Sequence, residues 1–529
     1  MKEGFRQAMA WLHTWTGLIF GWLLFAIFLT GTLSYFKDEM THWMQPLPPV
    51  HSVNAEQSVA LAQGYLQAHA QGAARWFIGL PHERQPGLSV AWQRPAKNEG
   101  ERGEFFDKVL DPLTGAERVS HDTAGGNFFY RFHFQLQMPY PWGRWLSTAA
   151  AMVMLIALVT GIITHKKIFK DFFTFRPRKG QRSWLDGHNA VGVLVLPFHL
   201  MITYSSLVIF MTLVMPASIV ASYGNDSRAF FKEAFPSNNN LPAAGQPGQL
   251  LPLAPFLAQA REHWAGGRAG RLTVNHPGDA NASVNVFPHN ADHVVQDFGR
   301  SLSFGGIDGQ LLKEAVPQSL PMAIGGSFVG LHMGLFAGPV LRWLYFLCGL
   351  AGTAMIGTGL VIWLGKRQLK HAKSGVMPFE LRLVEVLNIA SMAGLVLAVA
   401  VFFWANRLLP AQFAERADWE VNSFFIAWGL SLLHAVLRPG RRAWVEQLGL
   451  AALLFIAVPL LNALTTGQHV LASMAGGDWI MAGFDLTCLG SGLFLAWAAW
   501  KMQRPAPQKA PAQPRAERPR PLPANPEVT

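Results

Sequence analysis

The sequence predicts a mainly α-helical membrane protein of about eight transmembrane helices, the first four an internal duplication carrying two small α+β domains outside the membrane. Three features predict this. Eight apolar segments each approach the ~20 residues that cross a bilayer as helix. Two long polar insertions interrupt the first four of them, and histidines recur at matching offsets in the two halves. With 529 residues, 50% of them hydrophobic and only 14% charged, the chain carries too many apolar runs for an ordinary soluble enzyme.

The first span, residues 11–36 within region 1–36, is long, holds His13 and Trp15 and lacks a small-residue cleavage site, so it reads as a retained anchor. The first insertion, 37–138, shows a helical pattern at 55–70 and strand-like runs at 76–80, 88–93 and 105–110, closed by a turn at Asp111, Pro112 and Gly115. Region 139–165 holds the second span (145–165), and a basic loop, 166–184, follows. The third span (188–215, region 185–216) leads into the second insertion, 217–325, with a helix near 254–264, strands near 271–275, 283–287 and 301–304, and a turn at Asp308 and Gly309. The fourth span (338–364, region 326–365) ends in a second basic loop, 366–382. Segments 383–404, 421–437, 446–464 and 479–500 make a C-terminal four-helix region, 383–500. The tail, 501–529, is rich in Pro, Ala and Arg and is expected to be disordered.

Charge gives orientation. The net charge of +11 gathers after every second span, around Lys166, Lys167, Lys170 and Arg178, around Lys366, Arg367, Lys370 and Lys373, and at Arg438, Arg441, Arg442, Lys501 and Arg504. By the positive-inside rule these loops and both termini face the cytoplasm of a bacterial inner membrane, and the insertions face the periplasm. The charge therefore indicates topology and not a nucleic-acid partner. Cys348 and Cys488 lie in separate apolar helices and make no disulfide framework. No phosphate-binding loop, nicotinamide fingerprint or nucleophile triad occurs, so a catalytic side chain stays unknown.

Six histidines lie in or beside the first four spans: His13, His133, His165, His188, His199 and His332. Ionisable groups are rare in membrane segments and usually serve a pathway or a cofactor. Neutral imidazole is the usual protein ligand of haem iron. The offsets repeat: His13 precedes Gly17 as His188 precedes Gly192. His133 leads to Arg144, Trp145, Thr160 and Gly161 as His332 leads to Arg342, Trp343, Thr358 and Gly359. Topology places His13, His165 and His188 at the cytoplasmic level and His133 and His332 at the external level. His199 stands about 16 Å beyond His188 on nearly the same face of a straight helix, and so joins the external level subject to a kink at Pro197. Symmetry favours His13 with His188 and His133 with His332, while His199 and His165, matched in the repeat by Leu24 and Trp363, remain alternative ligands. The bland reading makes each an interfacial or hydroxyl-bonded histidine. Those of the insertions, His82 and His289 among them, read as solvated, with a metal cluster of His276, His289 and His293 only a weak alternative and no separate metal site expected.

The segments at His13 to Gly17, Tyr130 to His133, Gly161 to Lys167, Asp186 to Asn189, Leu196 to Thr203 and His332 to Phe336 resemble those of the PepSY-associated transmembrane helix proteins, also called iron-regulated membrane proteins, over roughly residues 1–370. The resemblance implies PepSY-like external domains, two b-type haems, and a haem-dependent reductase that takes iron from ferric siderophores in iron uptake, with an electron donor on the cytoplasmic or membrane side. Arg144, Arg342 and Lys166 are candidate partners for haem propionates. The alternative is a non-enzymatic regulator or assembly factor whose external domains bind a peptide or protein, and a third possibility is a transporter built on Asp485.

Overall fold

In the computed structural model, which describes residues 3–46, 53–98, 101–165, 176–177, 179–224, 226–234, 241–296, 300–315, 319–372 and 375–504, seven helices are long and apolar enough to cross a membrane, or eight if one bent pair is a single span. The basic residues Lys166, Lys167, Lys170, Arg178 and Lys373, His51, and the tail beyond Arg504 lie outside the described residues.

The chain opens with α1 (Glu3–Ser34) and a short helix α2 (Lys37–Met44). The first insertion supplies α3 (Ala55–His69) and strands β1 (Arg75–Gly79), β2 (Leu88–Gln93) and β3 (Phe105–Leu110). Next come α4 (Asn127–Gln135), the second span α5 (Trp142–Thr164), and the bent pair α6 (Gln181–Leu194) and α7 (Leu196–Ile209). The second insertion contains α8 (Ala254–His263), β4 (Ala269–Asn275), β5 (Ser283–Pro288), β6 (Ser301–Gly305) and β7 (Leu311–Ala315). It is followed by α9 (Leu320–Met333) and α10 (Pro339–His371). The C-terminal helices are α11 (Phe379–Leu408), α12 (Arg416–Leu437), α13 (Arg441–Thr466) and α14 (Trp479–Gln503).

The third span departs from the straight helix expected at 188–215. It bends by 68° between α6 and α7. The cause is local: Val195 leaves the helical region (φ −113°, ψ 16°), and Pro197 brings no N–H to continue the ladder. The straight-helix estimate of the depth of His199 is thereby corrected. His133 and His332 stand on separate short helices, α4 and α9, which end in left-handed residues, Leu136 (φ 55°) and Gly334 (φ 60°), before the spans begin.

The insertions do not fold as two separate sheets. β1 pairs with β4, with Ile78 opposite Leu272, so all seven strands form one antiparallel sheet in the order β3-β2-β1-β4-β5-β6-β7. One face buries Ile78, Val90, Leu272, Val284 and Leu302 beneath α3 and α8, which also pack on each other. Asn54 caps α3 through its side chain, accepting from Gln57 N at 3.1 Å. β7 was missed in the sequence because four of its five residues are exposed and it shows no apolar alternation.

α1 is the hub of the membrane region, packing on α4, α5 and α10. α11 continues through a π-bulge at Ala390–Gly394, and Trp428 Nε1 of α12 donates to Ala390 O at 2.9 Å. Two polar clusters join the layers. Arg84, from the sheet, holds the Glu39 carboxylate with two bonds of 2.8 Å, and Arg342 of α10 binds the same carboxylate at 2.7 Å. In the second cluster, buried Glu420 accepts from Arg416, Asn406, Thr123 Oγ1 and Ala124 N, fastening the C-terminal helices to the segment that leads into α4.

Arg416 is 2% exposed and Glu420 fully buried, so truncating Glu420 strands a buried charge. Glu420→Ala is expected to cost about 3–5 kcal/mol, and Glu420→Gln distinctly less. Thermal unfolding of the detergent-solubilised chain checks this, and melting unchanged by Glu420→Ala would show that the cluster does not hold the layers together.

Candidate functional site

The helices around α1 bring four of the six histidines into two facing pairs. His13 of α1 meets His188 of α6 with ring centroids 6.4 Å apart, on the side away from the sheet. His133 of α4 meets His332 of α9 at 6.1 Å, on the side toward it. Ile27, which bonds His133, lies roughly 21 Å further along α1 than His13 at ~1.5 Å per residue, about two thirds of a ~30 Å hydrocarbon core.

Each ring is oriented through Nδ1. His13 Nδ1 donates to Ala157 O (2.8 Å) and His188 Nδ1 to Met355 O (2.9 Å), with Thr160 and Thr358 hydroxyls at 3.4 and 3.1 Å. His133 Nδ1 donates to Ile27 O at 2.8 Å and His332 Nδ1 to Ser205 Oγ at 2.9 Å. Ser205 Oγ donates its own proton to Met201 O, so it accepts from the histidine. A carbonyl cannot donate, so each of the first three Nδ1 atoms must carry the proton and leave Nε2 with a free lone pair. Among the described residues no hydrogen bond is made to any of these four Nε2 atoms. This is the outer hydrogen bond that metal-binding histidines use to fix the tautomer.

Spacing supports the same use. Two imidazole nitrogens each ~2 Å from one metal, with ring centres ~1.1 Å behind them, set the centroids ~6 Å apart. Both pairs match. Small residues let the rings in: a Cβ at Gly31 would lie 2.5 Å from His133 Nδ1, at Gly161 3.2 Å from His13 Cε1, and at Gly359 3.4 Å from His188 Cε1. A cavity of about 290 Å³ is lined by His133, His332, Arg144, Thr148 and Gly349. At the outer pair, facing imidazoles beside such space would be able to hold a haem iron through their Nε2 atoms. Among the described residues no three His, Cys, Asp or Glu side chains gather to hold a metal ion.

His165 and His199 stand outside the pairs. His165 Nε2 is 2.9 Å from Asn189 Nδ2, and its buried Nδ1 has no partner among the described residues. His199 is fully buried beside Phe198, and among the described residues neither of its ring nitrogens meets a hydrogen-bond partner of good geometry. His199 Nε2 faces Gly352 of α10, where an added Cβ would lie 3.1 Å from it. Of the arginines expected near a cofactor, Arg144 lines the outer cavity, whereas Arg342 is held by Glu39 and Ala337 O. Lys166 lies outside the described residues.

The sequence reading missed a third pair. His82, after β1, and His289, after β5, were expected to be solvated, yet their rings meet edge to face at 5.1 Å. Their Nδ1 atoms accept from backbone N–H groups, Arg84 N and Ala291 N, both at 3.3 Å, so the proton sits on Nε2, the reverse of the membrane pairs. Burial, and then the facing His289, pushes the His82 pKa down to about 4, while Asp38 pulls the other way. Burial lowers that of His289 too.

A family model described as PepSY-associated TM region matches residues 10–366. An uncharacterised protein of Pseudomonas aeruginosa is 27% identical over 406 residues, covering 72% of this chain and 96% of its own length.

Because His82 stays neutral when folded while an unfolded histidine takes up a proton below about pH 6.5, stability is lost as pH falls from about 6.5 toward 4. His82→Gln is expected to flatten that part of the pH dependence in thermal melts of the detergent-solubilised chain. Parallel slopes for the two proteins would remove His82 as a source.

Proposed function

Because the chain belongs to the PepSY-associated TM family, we propose that it is an inner-membrane electron-transfer protein whose two membrane histidine pairs hold two b-type haems, and that it reduces ferric-siderophore iron on the periplasmic side with electrons from a donor on the cytoplasmic or membrane side. The observation that carries this reading is the pair of 6.4 and 6.1 Å ring separations, each with Nδ1 turned to an oxygen. Haem supplies one-electron chemistry, with a potential set by its axial ligands, burial and neighbouring hydrogen bonds.

The chain's own residues do the rest. His13 and His188 face each other at one depth, His133 and His332 at the other. Ala157, Met355, Ile27 and Ser205 hold their tautomers. The apolar packing of α1, α5 and α10 keeps water from the space between the two levels. Arg144, at the outer cavity, is placed to meet a propionate. Siderophore oxygens are hard donors that suit Fe(III), so gain of one electron weakens the chelate and lets iron exchange.

Internal duplication of the first four spans accounts for the matched partners. Ala157 relates to Met355, Thr160 to Thr358 and Gly161 to Gly359 by one constant offset in sequence, and each trio surrounds the histidine of its own half. The two insertions would then be paired PepSY-like domains joined edge to edge through β1 and β4. The basic loops put both termini in the cytoplasm.

Haem content of single variants tests the assignment. His13→Ala and His188→Ala should each remove one haem of two, His133→Ala and His332→Ala the other, with the remaining haem still reducible. Unchanged haem content in all four variants would reject the pairing.

A further inference from the structure

A cavity of about 1570 Å³ lies apart from the two membrane histidine pairs, between α1 and α10 on one side and α11, α13 and α14 on the other. Through the membrane layer its walls are apolar, including Leu29, Leu350, Val399, Phe455, Phe484 and Leu495. At the sheet end the lining turns polar, with Arg342, Glu39, Arg84 and His82. A crevice that is apolar along its length and polar at one end suits an amphiphile with a compact head.

Two observations define that head. Arg342 is only 9% exposed and gives Nη1 to Glu39 and Nη2 to Ala337 O, yet among the described residues its buried Nε has no partner. An N–H left unsatisfied in this setting favours a ligand that brings an oxygen acceptor. Around it, Phe36, Trp343 and Phe346 form a cluster with centroids 4.7 to 5.4 Å apart, and all three line the cavity. Aromatic walls pack on a flat ring, edge to face or offset. A tetrahedral phosphate would satisfy the arginine and leave those ring faces unused.

We propose that this crevice binds a lipid-soluble quinone. Its ring packs against Phe36, Trp343 and Phe346, one ring oxygen accepts from Arg342 Nε, and its isoprenoid tail runs down between the four-span half and the C-terminal helices. Part of the wall comes from α11, α13 and α14, which lie beyond the residues matched by the family. That gives the additional helices a role: they close a lateral site that the first four spans cannot form alone. Binding here does not depend on the histidine pairs, so a colourless chain that still takes up quinone would refute the haem assignment and leave this site standing.

Decylubiquinone titrated into the full-length chain in detergent, followed by tryptophan fluorescence, tests the site. Gly483 lines the crevice, and a Cβ there meets nothing within 4 Å, so Gly483→Leu fills the space from inside a helix that tolerates leucine well. Saturable quenching is expected in the native chain, weakened at least tenfold in Gly483→Leu. Arg342→Lys, which keeps a positive charge toward Glu39 without the Nε donor, should weaken it about tenfold, the weight of one charge-assisted hydrogen bond. Absence of saturable quenching, equal affinity in both variants, or displacement of the quinone by short-chain phosphatidylglycerol would overturn the proposal.

Discussion

The arrangement rests on a hydrogen bond from Nδ1 of each paired histidine to an oxygen on a neighbouring element. A helical carbonyl already accepts from the amide four residues on, but it has a second lone pair, and in an apolar layer that lone pair is a strong local acceptor. It fixes three things together: the tautomer, the plane of the ring and the direction of Nε2. Because Ala157, Met355 and Ile27 belong to α5, α10 and α1, each of these bonds runs to a helix other than the one that carries its histidine, and the ring geometry depends on how the helices pack. Glycine serves the same end, since side chains at Gly31 or Gly161 would press on the rings they face.

Polar contacts at the sheet side keep that packing in register. Glu39 is shared by Arg84 from the sheet and Arg342 from α10, so the external layer and the membrane layer are tied through one carboxylate. Further into the C-terminal half, Asp485 accepts from Trp43 Nε1 at 2.9 Å and Asn462 Nδ2 at 3.0 Å. Asp485 thereby brackets α14 to the α2 region and to α13. Buried charges of this kind are a weak source of stability, but once formed they penalise any arrangement that leaves a partner unpaired.

Much of this was legible in the sequence because its signals are local. Apolar length gave the spans, and period-two alternation gave six of the seven strands. The recurrence of His13 with His188 and of His133 with His332 anticipated which rings would meet. What escaped depends on contacts distant along the chain. The union of the two insertions through β1 and β4 leaves no mark on either strand alone, because an edge strand and an interior strand can share one apolar pattern. The 68° bend at Val195 was signalled by Pro197, but its direction, which sets where His199 comes to rest, is decided by packing. His82 and His289 looked like surface residues because their burial comes from each other's insertion.

The most direct test is the low-temperature electron paramagnetic resonance spectrum of the oxidised, purified chain, read together with its haem-to-protein ratio. Two low-spin ferric signals of bis-imidazole type, at two haems per chain, are the predicted result. A chain without haem, or one whose haem is high-spin with an open axial position, would contradict the account.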